Sequence, residues 1–118
     1  MESESSGMIA LLLFLFAQSD GPRTFHPVAL KDIPTTKWTH VETCGTVALV
    51  KHEADGDWHI RLEDAAKHFI VAEIIPELPL KQPVKGQQIH VRGISREDRD
   101  HGWFEVHPVL SWTAAACQ

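Results

Sequence analysis

The chain is poor in cysteine and in basic residues, and it has only one long apolar run. Two cysteines in 118 residues are too few for a zinc ribbon or a small disulfide-rich protein. The 11 Lys and Arg residues are outnumbered by 16 Asp and Glu residues, which argues against binding duplex DNA by phosphate neutralisation. The length fits one domain, and 43% apolar with 23% charged residues is ordinary globular usage.

Motifs of familiar enzyme classes are also missing from the sequence. It has no Ser-His-Asp or Cys-His order, no glycine-rich phosphate loop and no paired-carboxylate phrase. Internal repeats and low-complexity segments are absent as well. The sequence therefore predicts a binding module without a catalytic site and without a cofactor.

The one long apolar run is Met8–Ala17, which reads MIALLLFLFA. As a helix it would span about 15 Å, half of a bilayer core, so we expect no stable membrane span. Its length and the small residues after it are typical of a signal peptide over residues 1–19, which predicts a periplasmic or secreted location. Glu2 and Glu4 are untypical of such a signal, and a start at Met8 would remove both. A buried N-terminal helix in a cytoplasmic protein is the alternative.

The rest of the chain divides into a connector, a domain and a tail. Residues 20–34 contain three prolines, which predict an extended connector with a short helical turn at 28–33. The globular domain is expected over residues 35–112, followed by a C-terminal tail at 113–118.

Five segments of the domain have the side-chain pattern of β-strands, which predicts an all-β fold. They are Trp38–Val50, Trp58–Leu62, Phe69–Ile75, Gln88–Ile94 and Trp103–Leu110. In the first segment Val47 and Leu49 share one face, and Gly45 predicts a bulge or a sharp bend. Asp-Gly before Trp58 predicts a hairpin turn, and residues 95–102 are expected to form a charged loop.

This layout resembles the OB-fold, a five-stranded Greek-key barrel. The phrases that carry the resemblance are GTVALV, DGDWHIRLED, FIVAEI, VKGQQIHVRGI and WFEVHPV, within about residues 38–112. The chain is similar to the bacterial exported OB-fold family, although Gln87 replaces the acid usual before the fourth strand. It also resembles OB modules of the anticodon-binding type, which bind single-stranded nucleic acid. The first resemblance implies an exported binding protein, and the second implies a nucleic-acid-binding protein as the alternative.

The OB-fold resemblance also implies a place for the ligand, across the outer face of strands two and three. The residues expected to bind it are His59, Arg61, Phe69, Glu73, Arg96, Arg99 and Trp103, with Val71 on the same face and Asp55 and Asp57 beside it. An exposed aromatic ring next to an arginine suits an unpaired base, so an oligonucleotide or a peptide is the expected ligand class. In the alternative, Phe69 and Trp103 pack against Phe25, Val28 and Leu30 of the connector.

Eight histidines give a second set of candidates. His59, His90 and His107 fall on outward positions of different strands, and His101 lies in the last loop. Two of them with Glu73 or Glu105 could ligate zinc or copper. No H-x-H or H-x-x-x-H spacing is present, so histidines scattered over the surface are the alternative, and no metal site is predicted.

A third hypothesis is a metal-dependent hydrolase. Asp55-Gly56-Asp57 followed by Arg61 resembles staphylococcal-type nucleases, which are also OB barrels. Those enzymes need a second acidic pair further along the chain, and this sequence offers only Glu63-Asp64. An Asp-Gly turn explains the first two acids without catalysis.

The two cysteines leave two readings open. Cys44 lies in the predicted first strand and Cys117 in the tail, and the first and last strands of a closed barrel can be neighbours. A disulfide between them would tie the tail to the barrel in an oxidising compartment. In the alternative, the alanine-rich tail is frayed and both cysteines are free.

Overall fold

The structure is a computed structural model, and it describes residues 24–118. The predicted signal peptide at residues 1–19 lies outside the described residues. No helix within residues 24–118 is long and apolar enough to cross a membrane.

Six strands and one short 3-10 helix make up the described chain. They are β1 (His26–Pro27), the 3-10 helix (Leu30–Thr35), β2 (His40–His52), β3 (Trp58–Glu63), β4 (Phe69–Ile74), β5 (Gln88–Asp98) and β6 (Trp103–Ala114). The strand order is β1-β2-β3-β4-β6-β5, and β2 also pairs with β5, so strands β2 to β6 close into a barrel. The predicted all-β, five-stranded Greek-key OB barrel is confirmed.

The last two strands are longer than their apolar patterns predicted. β5 continues to Asp98 and β6 continues to Ala114, with Arg96 paired to Glu105 and Asp98 paired to Trp103. The expected loop at 95–102 is therefore wrong over residues 95–98. Backbone hydrogen bonds hold this hairpin together, and because Arg96 and Glu97 are exposed, their charges are compatible with a strand.

A bulge in the middle of β2 changes which of its residues face the core. Val47 pairs with Leu62 and Leu49 pairs with Arg61, so Ala48 is the extra residue. Val47 is buried, whereas Leu49 is 51% exposed and Val50 packs against the core in its place. The expectation that Leu49 shares the face of Val47 is wrong for this reason. The pairing of β2 with β5 runs unbroken through Gly45, where the bulge or bend was expected, and the bulge lies three residues further along.

The barrel core is filled from every long strand and from the 3-10 helix. Its fully buried members include Val41, Val47, Ile60, Leu62, Ile70, Ile89, Val91, Val106 and Val109. Leu30 and Ile33 of the 3-10 helix are also buried and belong to the same cluster. A side chain at Gly45 would meet Leu30 Cδ1 at 2.8 Å, so glycine permits this close packing.

The C-terminal tail is fastened to the barrel by a Cys44–Cys117 disulfide, whose Cα atoms are 5.7 Å apart. The backbone N–H of Cys117 also donates to Gln88 Oε1 at 3.0 Å, and His90 Nε2 lies 3.1 Å from the carbonyl oxygen of Ala116. Of the two readings of the cysteines, the structure has the disulfide. The tail is thereby held against β2 and β5.

Candidate functional site

Two adjoining cavities lie on the outer side of the barrel, where β3, β4 and β6 meet the two hairpin turns. The acidic pocket, of about 450 Å³, is lined by Glu53, Ala54, Asp55, Asp57, His59, Glu73, Arg96, Asp98, His101 and His107. The aromatic groove, of about 250 Å³, is lined by Leu49, Lys51, Glu53, His59, Arg61, Val71, His101 and Trp103. Three residues border both cavities, so the two form one continuous surface.

Strand register brings the central side chains of the acidic pocket together. Glu73 on β4 pairs with His59 on β3, and the parallel pairing of Val71 with Glu105 sets the register of β4 against β6. Two residues further along both strands, Glu73 Oε1 lies 2.6 Å from His107 Nδ1. On its other side, Glu73 Oε2 lies 3.4 Å from His59 Nε2. Glu73 is thus placed between two histidines from neighbouring strands.

Two glutamates of this site are buried, and only one is fully hydrogen-bonded. Glu105 is completely buried, and its two oxygens accept hydrogen bonds from Arg96 Nε at 2.9 Å and Trp103 Nε1 at 2.7 Å. Glu73 is 3% exposed, and its Oε2 forms no hydrogen bond within the described chain. A buried carboxyl oxygen without a hydrogen-bond partner is costly, so Glu73 Oε2 is the unsatisfied group of the site.

The electrostatics of the pocket follow from this crowding of acids. Burial raises the pKa of Glu73 to about 9, and the hydrogen bond and charge of Glu105 and the charge of Asp57 act in the same direction. Burial also lowers the pKa of His107, and the nearby Arg96 guanidinium reinforces the effect. The lowered pKa favours the neutral imidazole, in which one ring nitrogen is a donor and the other an acceptor.

The β5–β6 turn holds a separate ion pair at the rim. Asp98 Oδ2 lies 2.8 Å from His101 Nδ1, and the backbone N–H of His101 donates to Asp98 Oδ1. The hydrogen bond from His101 holds the pKa of Asp98 well below its usual range, and the same bond raises the pKa of His101. This pair fixes the His101 ring over the groove.

The wall of the aromatic groove is a stack of rings. The His101 and Trp103 rings are parallel within 3°, with centroids 4.5 Å apart, and His59 meets Trp103 edge-on at 5.8 Å. Leu49 extends the apolar surface, because the bulge in β2 turns it outward. Lys51 and Arg61 add two cations, paired with Glu53 at 3.6 Å and with Glu63 at 2.8 Å.

Most of the residues predicted from the sequence come together here. His59, Arg61, Glu73, Arg96 and Trp103 line one or both cavities, as do the flanking Asp55, Asp57 and Val71. Phe69 lines neither cavity, and the Arg61 guanidinium lies over its ring, 3.7 Å from the ring centroid. Arg99 is 88% exposed in the β5–β6 turn and pairs with Glu97, so it lines neither cavity. Whether these residues bind a ligand stays a prediction.

The alternative in which Trp103 packs under the connector does not describe the structure. Leu30 of that segment packs at Gly45, while the Trp103 ring lies against His101 and His59. Of the four histidines considered, His59, His101 and His107 converge on the acidic pocket. His90 is elsewhere, 3.4 Å from Glu42.

Sequence reasoning missed Leu49 and Lys51 as site residues. Their exposure depends on the bulge at Ala48, and no glycine or proline marks that position. It also missed that Glu73 and Glu105 would both be buried. The three-residue spacing in Asp98–His101 was a usable signal, because a carboxylate and an imidazole at that spacing can share one turn.

The nuclease-like arrangement is not assembled around Arg61. Arg61 lies in the groove and pairs with Glu63, whereas Asp57 is in the acidic pocket. Asp57 is grouped instead with Glu73 and His107, and the ligand atoms of these three lie within 4.8 Å of one another.

Comparisons with known proteins identify the fold and no family. No protein-family model and no curated protein matches the sequence. Among solved structures, the chain is similar to the S. pombe Stn1-Ten1 complex, with a TM-score of 0.56, 19% identity and coverage of 80% of each chain. It is also similar to the telomere capping protein Ten1 from Saccharomyces pombe, with a TM-score of 0.56, 18% identity and coverage of 78% of this chain and 82% of that one. The chain therefore has an OB-fold.

These comparisons correct one expectation and leave another without support. The predicted periplasmic or secreted location is wrong, because the two similar structures are those of the Stn1-Ten1 complex and of the telomere capping protein Ten1 rather than of exported proteins. Membership of the bacterial exported OB-fold family is not shown, and only the OB-fold part of that resemblance stands.

Proposed function

We propose that the protein binds single-stranded nucleic acid in the aromatic groove, without a chemical step. The observation that carries the proposal is a parallel His101–Trp103 stack on the outer face of an OB barrel, with Lys51 and Arg61 lining the same groove. Similarity to Ten1, a telomere capping protein, supports it at the level of the fold. This is the face on which OB barrels generally hold oligonucleotides.

The groove offers the surface that an unstacked base needs. Base–aromatic stacking contributes roughly 1–3 kcal/mol per base and tolerates any base, because every base has a flat face. Trp103 is held in place by its hydrogen bond to the buried Glu105, so its ring is preorganised for stacking. Leu49, 51% exposed, extends the apolar wall.

The charges predict which way the phosphates run. Lys51 is 65% exposed and Arg61 is 40% exposed, so both can reach a backbone phosphate. The acidic pocket on the other side of His59 carries five carboxylates and one arginine, and it repels phosphate. A bound strand would therefore pass along the side of Lys51 and Arg61, with its bases toward Trp103.

The test is to titrate a fluorescein-labelled oligo(dT) of about 12 nucleotides with the full chain at low and at physiological salt. Binding is measured by the fluorescence anisotropy of the label. We expect saturable binding that weakens with salt, and weaker binding of a duplex of the same length. Lys51→Gln and Arg61→Gln should each lower the affinity severalfold and reduce the salt slope by about 0.7. Lys85→Gln removes a cation that lines neither cavity, and it should leave both quantities unchanged.

Two results would contradict the proposal. One is the absence of saturable binding by the full chain at low salt. The other is an equal loss of affinity in Lys85→Gln and Arg61→Gln, which would indicate a diffuse charge effect rather than a groove.

A further inference from the structure

Three side chains of the acidic pocket have the donor atoms and the spacing of a metal site. Asp57 lies at the end of the turn between β2 and β3, Glu73 lies on β4 and His107 lies on β6. One ligand atom from each falls within a group whose members are at most 4.8 Å apart. Glu73 Oε1 and His107 Nδ1 are hydrogen-bonded to each other at 2.6 Å, so an ion shared by these two side chains would replace that bond. Because Asp57 is on a turn, a small movement of that side chain would complete the set.

The independent observation is the unpaired oxygen of Glu73. Glu73 is 3% exposed and lines the pocket, yet its Oε2 forms no hydrogen bond with any residue described here. The nearest histidine nitrogen, His59 Nε2, is 3.4 Å away. Native proteins rarely leave such an oxygen without a partner unless something else satisfies it.

A neighbouring group of the same composition serves as a comparison. Asp98, His101 and Glu105 also bring three ligand atoms together. Glu105 already accepts hydrogen bonds from Arg96 and Trp103, and both Asp98 oxygens are engaged by His101. Every carboxylate oxygen of that second group is already hydrogen-bonded. In the group around Glu73, the Oε2 atom has no hydrogen-bond partner.

We propose that Asp57, Glu73 and His107 bind one divalent transition-metal ion, of which Zn²⁺ best fits the donor set. Zinc accepts histidine nitrogen and carboxylate oxygen at about 2.0–2.2 Å, commonly with three protein ligands and one open position. The open position would face the acidic pocket of about 450 Å³. An imidazole among the donors favours zinc over calcium or magnesium, which prefer oxygen alone.

The charge around the site favours a cation. Five carboxylates line the pocket, and Arg96, the cation among the lining residues, is already bonded to Glu105. A divalent ion would bring positive charge next to the acidic side chains of the pocket. It would also supply positive charge beside the groove, although the metal site stands without any assumption about nucleic acid.

The test is titration of the full chain with Zn²⁺ by calorimetry, in the absence of oligonucleotide. We expect one tight site in the wild type and at least a tenfold loss of affinity in Glu73→Gln and in Asp57→Asn. Glu42→Gln is the matched control, because Glu42 also lies on a strand, 3.4 Å from a histidine, outside the pocket. Its zinc affinity should equal that of the wild type.

Equal affinity in all four proteins would overturn the proposal, since binding would then reside on other surface histidines. An equal loss in Glu42→Gln and Glu73→Gln would overturn it as well. Thermal unfolding of the metal-free proteins checks that Glu73→Gln is folded. If it is not, Asp57→Asn decides alone, because the Asp57 side chain holds no hydrogen bond in the described structure. Oligo(dT) binding by Asp57→Asn in chelator tests the groove separately.

Discussion

Individual side chains at this site differ in how far their hydrogen-bonding needs are met. Both oxygens of Glu105 are hydrogen-bonded, one by Trp103 Nε1 and the other by Arg96 Nε. Glu73 is equally buried and keeps one oxygen free. A satisfied buried carboxylate makes a site rigid, whereas an unsatisfied one favours a ligand that brings positive charge or a donor. Glu105 holds Trp103 of the aromatic groove in place, whereas Glu73 lines the acidic pocket.

The Asp98–His101 pair gives a prediction at this scale. Replacing Asp98 by Asn should lower the pKa of His101 toward its ordinary value, because the hydrogen bond that Asp98 accepts from His101 is the main cause that raises it. The measurement is a pH titration of the histidine ring resonances by NMR. Asp100→Asn removes the same charge from the same turn without removing a hydrogen bond, so it should lower that pKa less. An unchanged His101 pKa in Asp98→Asn would refute the pairing.

The pKa shifts of Asp98 and His101 also determine how the stability of the β5–β6 turn depends on pH. The lowered pKa of Asp98 gives stability that is present above the unfolded value of about 3.9 and is lost as pH falls through the folded pKa. The raised pKa of His101 gives stability that is present below about 6.5 and is lost as pH rises through its folded pKa. The β5–β6 turn is therefore held best between about pH 4 and 6.5.

At the scale of elements, the barrel depends on close backbone contacts at a few glycines. Gly93 on β5 lies opposite Val109, where the register of β5 against β6 shifts. A Cβ atom there would meet the carbonyl oxygen of Pro108 at 2.3 Å and Val106 Cγ1 at 2.6 Å. The strands cannot separate at this point without opening the barrel.

We therefore predict that Gly93→Ala lowers the free energy of unfolding by about 3 kcal/mol, because it forces a side chain into backbone atoms. Gly45→Ala should cost less, about 1 kcal/mol, since its closest contact is the end of the flexible Leu30 side chain. Urea unfolding followed by tryptophan fluorescence compares the two. A smaller loss for Gly93→Ala than for Gly45→Ala would contradict the prediction.

Alternation along the strands was enough to predict the elements. Ile60, Leu62, Ile89 and Val91 point inward as expected, and all five predicted strands exist. The site was predicted only in part, because its geometry depends on which strands become neighbours. Glu73 meets His107 only because β4 pairs in parallel with β6, a long-range contact that no local pattern encodes. The charged end of β5 over residues 95–98 was missed because backbone pairing does not require apolar side chains.

For the molecule as a whole, the two ends of the described chain both fasten onto β2. β1 pairs with it in parallel at His26 and Val41, and the tail reaches it through the Cys44–Cys117 disulfide. β2 also pairs with β3 and with β5, so it is the strand through which the barrel closes. Loss of order in β2 would open the barrel and release β1 and the C-terminal tail.

The disulfide gives the prediction at this scale. It closes a segment of 73 residues, and a covalent link of that span is expected to stabilise the fold by about 2–4 kcal/mol. Cys117→Ser should lose about that much in urea unfolding, and reduction of the wild type should lose a similar amount. The Cys44→Ser/Cys117→Ser double variant is the control, and reductant should not change its unfolding. Equal stability of the oxidised and reduced wild type would refute the prediction.

The bulge at Ala48 also has a consequence for the evolution of the protein. Before it, odd-numbered residues of β2 face the core, as Val47 does. After it, odd-numbered residues such as Leu49 and Lys51 face the groove, while Val50 packs inside. The inward face of β2 packs in the core on both sides of the bulge, whereas the outward face lines the groove after the bulge. Substitutions at 49 and 51 change the proposed binding surface while the barrel interior stays the same, so the proposed specificity and the folding can evolve independently along one strand.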